Sequence, residues 1–284
     1  MVLRIDAFFD EPTYTVSYLV SDSETNKAAV IDPVLNFDLR SGCAGVSSAR
    51  KILDAARDGA LAIEWVLETH IHADHLTAAC FIKEKTGAKV AIGSQVGEVQ
   101  AAFRGMFGPV CGSVFDRLLN DGDIVELGTQ HIRVLHTPGH TPACVTYSIG
   151  DAAFVGDTLF MPDYGTARTD FPGGNASSLY HSIRRILSLP PETRLFMCHD
   201  YKAAGRDHYA WETSVAEQRA CNIHIHDGIG EDEFVKMRAA RDATLVPPSL
   251  LLPAIQINIR AGRFPEPDAN GTRYLKIPLT LHDE

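Results

Sequence analysis

A chain of 284 residues with 45% hydrophobic and 22% charged residues has the composition of a soluble globular protein, with apolar content for one large core or a core plus a small appendage. Its formal net charge of −10 repels phosphate backbones and argues against a nucleic-acid partner, while leaving room for a local basic pocket. No apolar run reaches the ~20 residues of a membrane span, Asp6 interrupts the apolar start against a secretory signal, and the six scattered cysteines form no Cys-x-x-Cys pair, so a cytoplasmic protein with free thiols and no membrane attachment is expected.

In chain order, Val2–Phe9, Tyr14–Val20 and Lys27–Ile31 read as strands, short and rich in aromatic and β-branched residues, with Asp10-Glu11-Pro12 and Asp32-Pro33 as breaks. Ser41–Ser48 reads as a loop. Ala49–Arg57 reads as a helix with Ile52, Leu53 and Ala56 on one side. Ile63–Leu67 is a buried strand and Thr69–His75 a polar loop. Leu76–Lys85 and Gln95–Phe103 read as helices around an extended Lys89–Ile92, and Gly105–Cys111 as a turn-rich insertion. A run of strands follows at Ile124–Leu127, His131–His136, Cys144–Ile149 and Ala152–Val155. Asn175 caps a helix over Ala176–Leu187 that ends before Pro190-Pro191, and Arg194–Cys198 is another strand. Two helical stretches, Thr213–Cys221 and Asp232–Arg241, precede a proline-punctuated end whose apolar Leu250–Leu252, Ile255, Ile257 and Ile259 predict packing on the body. This order fits two mixed sheets flanked by helices, an α+β arrangement, better than a strictly parallel wheel.

The strongest chemical signal is Thr69-His70-Ile71-His72-Ala73-Asp74-His75, three imidazoles and a carboxylate just after an apolar strand. Imidazole nitrogen with carboxylate oxygen suits zinc, iron or manganese. His-x-His spacing can aim both rings at one ion, with Asp74 and His75 facing a second ion or holding the first rings by hydrogen bonds. Three more candidates follow strands: His140 in Thr137-Pro138-Gly139-His140, Asp157 in Gly156-Asp157-Thr158, and His199 in Cys198-His199-Asp200-Tyr201. A lone histidine or aspartate after a strand is usually a cap or turn residue. Four such loops in series point to a metal centre.

This ordered set resembles the metallo-β-lactamase superfamily, from about Tyr14 to Tyr201. The resemblance implies an αββα sandwich of two mixed β-sheets flanked by helices, with the metal site at one edge between the sheets. It also implies first-site ligands at His70, His72 and His140, a bridging Asp157, and second-site ligands at Asp74, His75 and His199. Residues 1–284 are expected to form one domain of this kind, with residues 212–284 as a C-terminal helical and Pro-rich extension packed on it.

Two chemistries occur within the superfamily. One is thioester hydrolysis at a dinuclear centre, as in glyoxalase II. The other is oxygenation at one Fe(II) held by two histidines and a carboxylate, a facial triad with open positions. Gly165–Phe171 with its Arg168-Thr169-Asp170-Phe171, Pro138–Cys144, Leu179-Tyr180-His181-Ser182, His199-Asp200-Tyr201, Asp232–Arg238 and Leu252–Arg260 resemble segments of the persulfide dioxygenases, also called sulfur dioxygenases. That likeness implies oxidation of glutathione persulfide with O₂ to sulfite and glutathione. It implies one Fe(II) per chain on His70, His140 and Asp157, with His72, Asp74, His75 and His199 as supporting groups or as a second metal's ligands. Zinc or a second metal is the alternative. Arg168 offers donors suited to a glutathione carboxylate, and Tyr201 a phenol near the metal edge. His72 and Tyr201 are the candidates for assisting proton movement. The chain departs from the mitochondrial-type members near Val99–Phe115, in the loop from Asp157 to Arg168, and beyond Arg260, which implies a remodelled pocket mouth. The apolar tail suggests a homodimer.

Three further features carry blander expectations. Cys198 is expected to be a buried apolar filler, pointing away from His199 by strand alternation. His224-Ile225-His226-Asp227 is expected to be a solvated turn. Asp170 is expected to orient Arg168 or cap its loop, and Gly173-Gly174-Asn175 is too short a glycine signal for a phosphate site.

Overall fold

The computed structural model describes residues 3–279 and 281; Val2, placed at the start of the first expected strand, lies outside them. Two six-stranded mixed sheets stack face to face. The first has the order β1 (Leu3–Asp10), β2 (Thr15–Asp22), β3 (Lys27–Ile31), β6 (Ala62–Leu67), β8 (Lys89–Gly93) and β9 (Arg117–Leu119). Its first three strands are antiparallel and the rest parallel. The second has the order β10 (Ile124–Leu127), β11 (Gln130–His136), β12 (Val145–Ile149), β13 (Ala152–Phe154), β14 (Arg194–Phe196) and β15 (Glu212–Ser214), antiparallel except for β13 beside β14. A small third sheet joins β5 (Cys43–Gly45), β4 (Val34–Asp38) and β7 (Leu76–Thr77).

Strand alternation sets the layers. Val16, Tyr18, Val20, Ala29 and Ile31 face Val125, Ile132, Val134, Tyr147 and Phe154 of the other sheet. Leu19, Ala28 and Val30 face outward, onto α1 (Ser47–Asp58), α2 (Ala79–Thr86), α3 (Val96–Phe107) and α7 (Leu251–Asn258). The outer face of the second sheet carries α4 (Ala176–Ile186), α5 (Val215–Cys221) and α6 (Glu231–Asp242). The expected αββα sandwich is therefore the observed fold.

The differences from expectation are local. The helix expected from Leu76 begins at Ala79, because Leu76 and Thr77 pair with Leu35 and Val34 instead. The helix over residues 96–107 runs through Gly105 before ending at Gly108, shortening the expected insertion. β5, β7, β9 and β15, of two or three residues each, are too short for periodicity to reveal. The proline-rich end contains α7, which tolerates Pro253 because its first turn has no backbone donor to lose. Its Ala254, Ile255 and Ile257 are fully buried on the first sheet's helical layer.

Candidate metal centre

The candidate ligands arrive on loops at the C-terminal ends of β6, β13 and β14 and between β11 and β12, so sheet geometry alone gathers them. Gly139 and Gly156 allow the approach. Both have positive φ (138° and 53°), and a Cβ on Gly139 would sit 2.4 Å from Leu179 backbone, one on Gly156 2.6 Å from Thr69 Oγ1. The Gly139 carbonyl accepts from Asn175 N–H, and Ser182 Oγ donates to the Pro138 carbonyl, tying the His140 loop to the start of α4.

Each histidine is held by one ring nitrogen so that the other faces the centre. Asp32, at the end of β3, accepts from Thr69 N–H (2.7 Å) and from the Thr69 hydroxyl (2.8 Å). That hydroxyl proton being spent, His70 Nδ1–H donates to Thr69 Oγ1 (2.9 Å), and Nε2 keeps its lone pair. His72 Nε2–H lies 3.0 Å from Asp32 Oδ1 and 3.3 Å from Glu68 Oε2, leaving Nδ1. His140 Nδ1–H donates to the Arg168 carbonyl (2.8 Å). His75 Nδ1 faces Asp74 Oδ1 and Thr15 Oγ1, both at 3.3 Å. His199 Nδ1 faces Thr15 Oγ1 and the Tyr14 carbonyl, both at 3.3 Å. Outer oxygen partners of this kind fix ring tautomers around metal ions.

The inward atoms form two groups, each with its ligand atoms within 4.8 Å of one another: His70, His140 and Asp157, and His72, Asp74, His75 and His199. Asp157 joins them. Its Oδ2 is 3.8 Å from both His70 Nε2 and His140 Nε2, and its Oδ1 is 3.3 Å from His199 Nε2. His70 Nε2, His72 Nδ1, Asp74 Oδ2, His75 Nε2, Asp157 Oδ1 and His199 Nε2 are all buried without a hydrogen-bond partner among the described residues. So many orphaned donor atoms converging on one place fit a bound cation, because unpaired buried polar atoms are otherwise costly. Nitrogen and carboxylate oxygen suit a first-row transition ion.

The electrostatics agree. Burial and the neighbouring imidazoles of His72, His140, His199 and His75 push His70 well down, keeping it the neutral ring a metal requires. His75 is lowered by burial and by His72. For Asp74, burial acts upward, but His199 and His75 outweigh it and hold the carboxyl far below its usual range. Burial opposes protonation of His72, yet Asp32 and Glu68 overcome it and raise its affinity for a proton, and with it the ligand basicity of the free nitrogen.

The centre opens into a cavity of about 570 Å³ lined by Asp74, His140, Asp157, Phe160, Tyr201 and Arg168 among others. Tyr201 stacks on the His199 ring (centroids 5.5 Å, planes 14° apart), and burial with the nearby Asp74 and Asp157 carboxylates keeps its phenol protonated. The segment near Val99–Phe115 contributes Phe103, which packs on Phe171, itself against His140. Arg168 lines the wall, but its Nε and Nη2 donate to Asp170 (2.6 Å each) and its Nη1 to the Val246 carbonyl (2.8 Å).

Two expectations are corrected here. His224 is buried, not in a solvated turn: its Nδ1 accepts from Thr166 N–H (3.0 Å), fastening the loop that leads to Arg168. Cys198 is buried as expected, but β14 stops at Phe196, so alternation does not carry its thiol away; Sγ lies 3.6 Å from Asp32 Oδ2 and within 4.8 Å of the Asp157 and His199 ligand atoms. Burial and the Asp32, Asp157 and Asp74 charges raise that thiol well above its ordinary range.

The supports Asp32, Glu68, Thr15 and Asn258 were not singled out from the sequence. Asn258 donates to the carbonyls of His72 and His75 and accepts from Thr77 N–H. Its one signal was a polar residue inside the apolar run Ile255–Ile259.

The chain belongs to the metallo-beta-lactamase superfamily, whose family model matches residues 10–199. A "Probable metallo-hydrolase" of Burkholderia pseudomallei (strain 1710b) is 53% identical, over 98% of this chain and 99% of that protein. The chain is 50% identical to a "Beta-lactamase hydrolase-like protein" of Xylella fastidiosa, but spans only 64% of its length. "Glyoxylase B2" of Dictyostelium discoideum is 45% identical over 97% of each chain. "Persulfide dioxygenase ETHE1, mitochondrial" of Homo sapiens is 29% identical over 89% of this chain and 87% of that one. Among solved structures, ETHE1 from Myxococcus xanthus superposes with a TM-score of 0.75 at 32% identity, covering 93% of this chain and all of that one. Among the described residues, no helix is long and apolar enough to cross a membrane.

Proposed function

We propose that this superfamily member is an Fe(II)-dependent persulfide dioxygenase, oxidising glutathione persulfide with dioxygen to sulfite and glutathione. The observation that carries the reading is the triad itself. His70, His140 and Asp157 form a compact two-histidine, one-carboxylate set opening on a cavity lined by Thr166, Ala167, Arg168, Asp170 and Phe171, from the Gly165–Phe171 segment that resembles the dioxygenases. The likeness to ETHE1 of Myxococcus xanthus over 93% of the chain supports it further.

His70, His140 and Asp157 would hold Fe(II), which would supply open positions for a thiolate sulfur and dioxygen. The protein's own part is binding, orientation and proton handling. Asp32 and Thr69 fix His70, and the Arg168 carbonyl fixes His140. Phe160 and the Tyr164 and Tyr201 rings give the cavity an aromatic wall that limits water around the reacting sulfur. Tyr201, protonated and beside His199, would offer an O–H to an oxygen of the substrate, and His72, whose Nε2 faces Asp32 and Glu68, would assist proton movement. Arg168 and Tyr201 would flank the glutathione part.

A second reading rests on a specific observation. The ligand atoms of His72, Asp74, His75 and His199 also converge, as a dinuclear thioester hydrolase needs, and "Glyoxylase B2" is the 45% identical relative. Oxygen consumption by anaerobically purified, iron-analysed protein on adding glutathione persulfide tests both. Rapid uptake with about one iron per chain supports the dioxygenase. No uptake, with hydrolysis of S-lactoylglutathione by protein holding about two metals per chain, replaces it with the hydrolase.

A further inference from the structure

The cavity that opens on the metal centre holds its charges unevenly. Asp74, Asp157 and His140 lie at the inner end. Three arginines line the walls, and two are neutralised. Arg168 gives its fork to Asp170. Arg238, buried on α6, pairs with Asp242 Oδ1 through Nε (2.9 Å) and Nη2 (2.7 Å), and its Nη1 donates to the Thr166 carbonyl (3.1 Å). Asp242 is itself used up, since its other oxygen accepts from Thr169 N–H and the Thr169 hydroxyl.

Arg241 is different. It sits in the last turn of α6, is exposed, lines the same cavity, and has no ion pair or side-chain hydrogen bond among the described residues. Its own carbonyl accepts from Thr244 N–H and Oγ1, which ends the helix and turns the chain into Leu245, Val246, Pro247 and Pro248, the apolar wall beside it. The Val246 carbonyl takes a hydrogen bond from Arg168, so that wall is fastened to the opposite loop. In a chain of net charge −10, an unpaired guanidinium on a half-enclosed cavity is a positive focus for an anion.

We infer that Arg241 is the specificity residue for the outer end of the substrate, binding a carboxylate of a thiol compound whose sulfur reaches the metal centre. This deepens the dioxygenase reading and rests on it for the substrate's sulfur end, but the carboxylate contact stands independently of what happens at the metal. The site selects a molecule with a sulfur head, a middle that packs on the proline and aromatic walls, and an anionic tail. Arg168, with its charge matched by Asp170, shapes the wall and offers its remaining N–H groups.

The test is anaerobic calorimetry on the iron-loaded protein with glutathione and with glutathione diethyl ester, which lacks both carboxylates. The wild type should bind the acid more tightly than the ester, roughly five- to tenfold. Arg241→Gln should lose that preference, its affinity for glutathione falling to the ester level, and Arg241→Lys should recover part of it as a charge without the fork. Because the side chain is exposed, neither change threatens folding. An Arg241→Gln protein that keeps the wild-type preference overturns the inference, as does a wild type with no measurable affinity for glutathione. Oxygen uptake separates this from the wider reading. A wild type that shows the acid preference but consumes no oxygen ends the dioxygenase and leaves Arg241 in its role.

Discussion

The side-chain amide of Asn258 donates to the carbonyl oxygen of His75 at 2.8 Å, across 183 residues of sequence. The same nitrogen donates to the His72 carbonyl, and Oδ1 accepts from Thr77 N–H. A helix near the end of the chain therefore sets the backbone of the loop that carries Asp74. Asn258→Ala leaves these buried groups unpaired and should cost on the order of 3 kcal/mol. The melting temperature should fall by roughly 6–12 °C, and iron content per chain should fall with it. A variant that melts and binds iron like the wild type would show that the loop holds its shape without this brace.

The two ligand groups make different demands on their carboxylates. Asp157→Ala removes the oxygen that faces both His70 and His140, and the purified protein should retain almost no metal by elemental analysis. Asp74→Ala touches only the second group. With a mononuclear centre it should keep about one iron per chain and oxygen uptake within roughly tenfold of wild type. Loss of all turnover in an Asp74→Ala protein that still holds one metal would instead favour the dinuclear hydrolase.

Arg168→Ala should raise KM for glutathione persulfide about tenfold while lowering kcat much less, because the side chain lies on the cavity wall rather than at the ligand atoms. His140 is held by the Arg168 carbonyl, which alanine keeps. The substitution also frees Asp170, whose carboxyl the Arg168 hydrogen bond holds below its usual range. Arg168→Ala combined with Asp170→Asn removes that new negative charge. A KM that returns to the wild-type value in the double variant would assign the effect to repulsion and remove Arg168 from the substrate's contacts.

His224 makes stability depend on pH in a defined window. Burial, with the Arg238 and Arg241 charges, lowers it from its ordinary 6.5 to about 4. The unfolded chain therefore takes up the proton first. The contribution of the neutral ring is complete above about pH 6.5 and is lost as pH falls through about 4. Thermal melts should drop by several degrees across that interval, and His224→Gln, which cannot titrate, should flatten this part of the profile. Identical slopes in the two proteins would mean that other groups govern acid stability.

The candidate ligand residues were legible because each stands just past an apolar strand, and strand ends in a layered αβ protein lie along one edge. The longer helices and central strands were legible from their periodicity. Strands of two or three residues, such as Leu76–Thr77 and Arg117–Leu119, were not, because they exist only through their partners. Cys198 was misjudged for a related reason: alternation was applied past the point where β14 ends. His224 was read as solvated because nothing in residues 222–227 reveals that Thr166 donates to it.

By itself, the sequence determined the order of the longer strands and helices and the set of imidazoles and carboxylates, since these follow from local periodicity and residue chemistry; the αββα sandwich was implied by the family resemblance. Only the tertiary structure decided which nitrogen of each histidine faces inward. It also decided that Arg241 is left without a partner among the described residues. Those outcomes depend on hydrogen bonds and ion pairs between segments far apart in the chain, such as Asp32 with His72 and Asn258 with His75. Such pairings leave no mark on local spacing, because the backbone brings the partners together only after the sheets have packed.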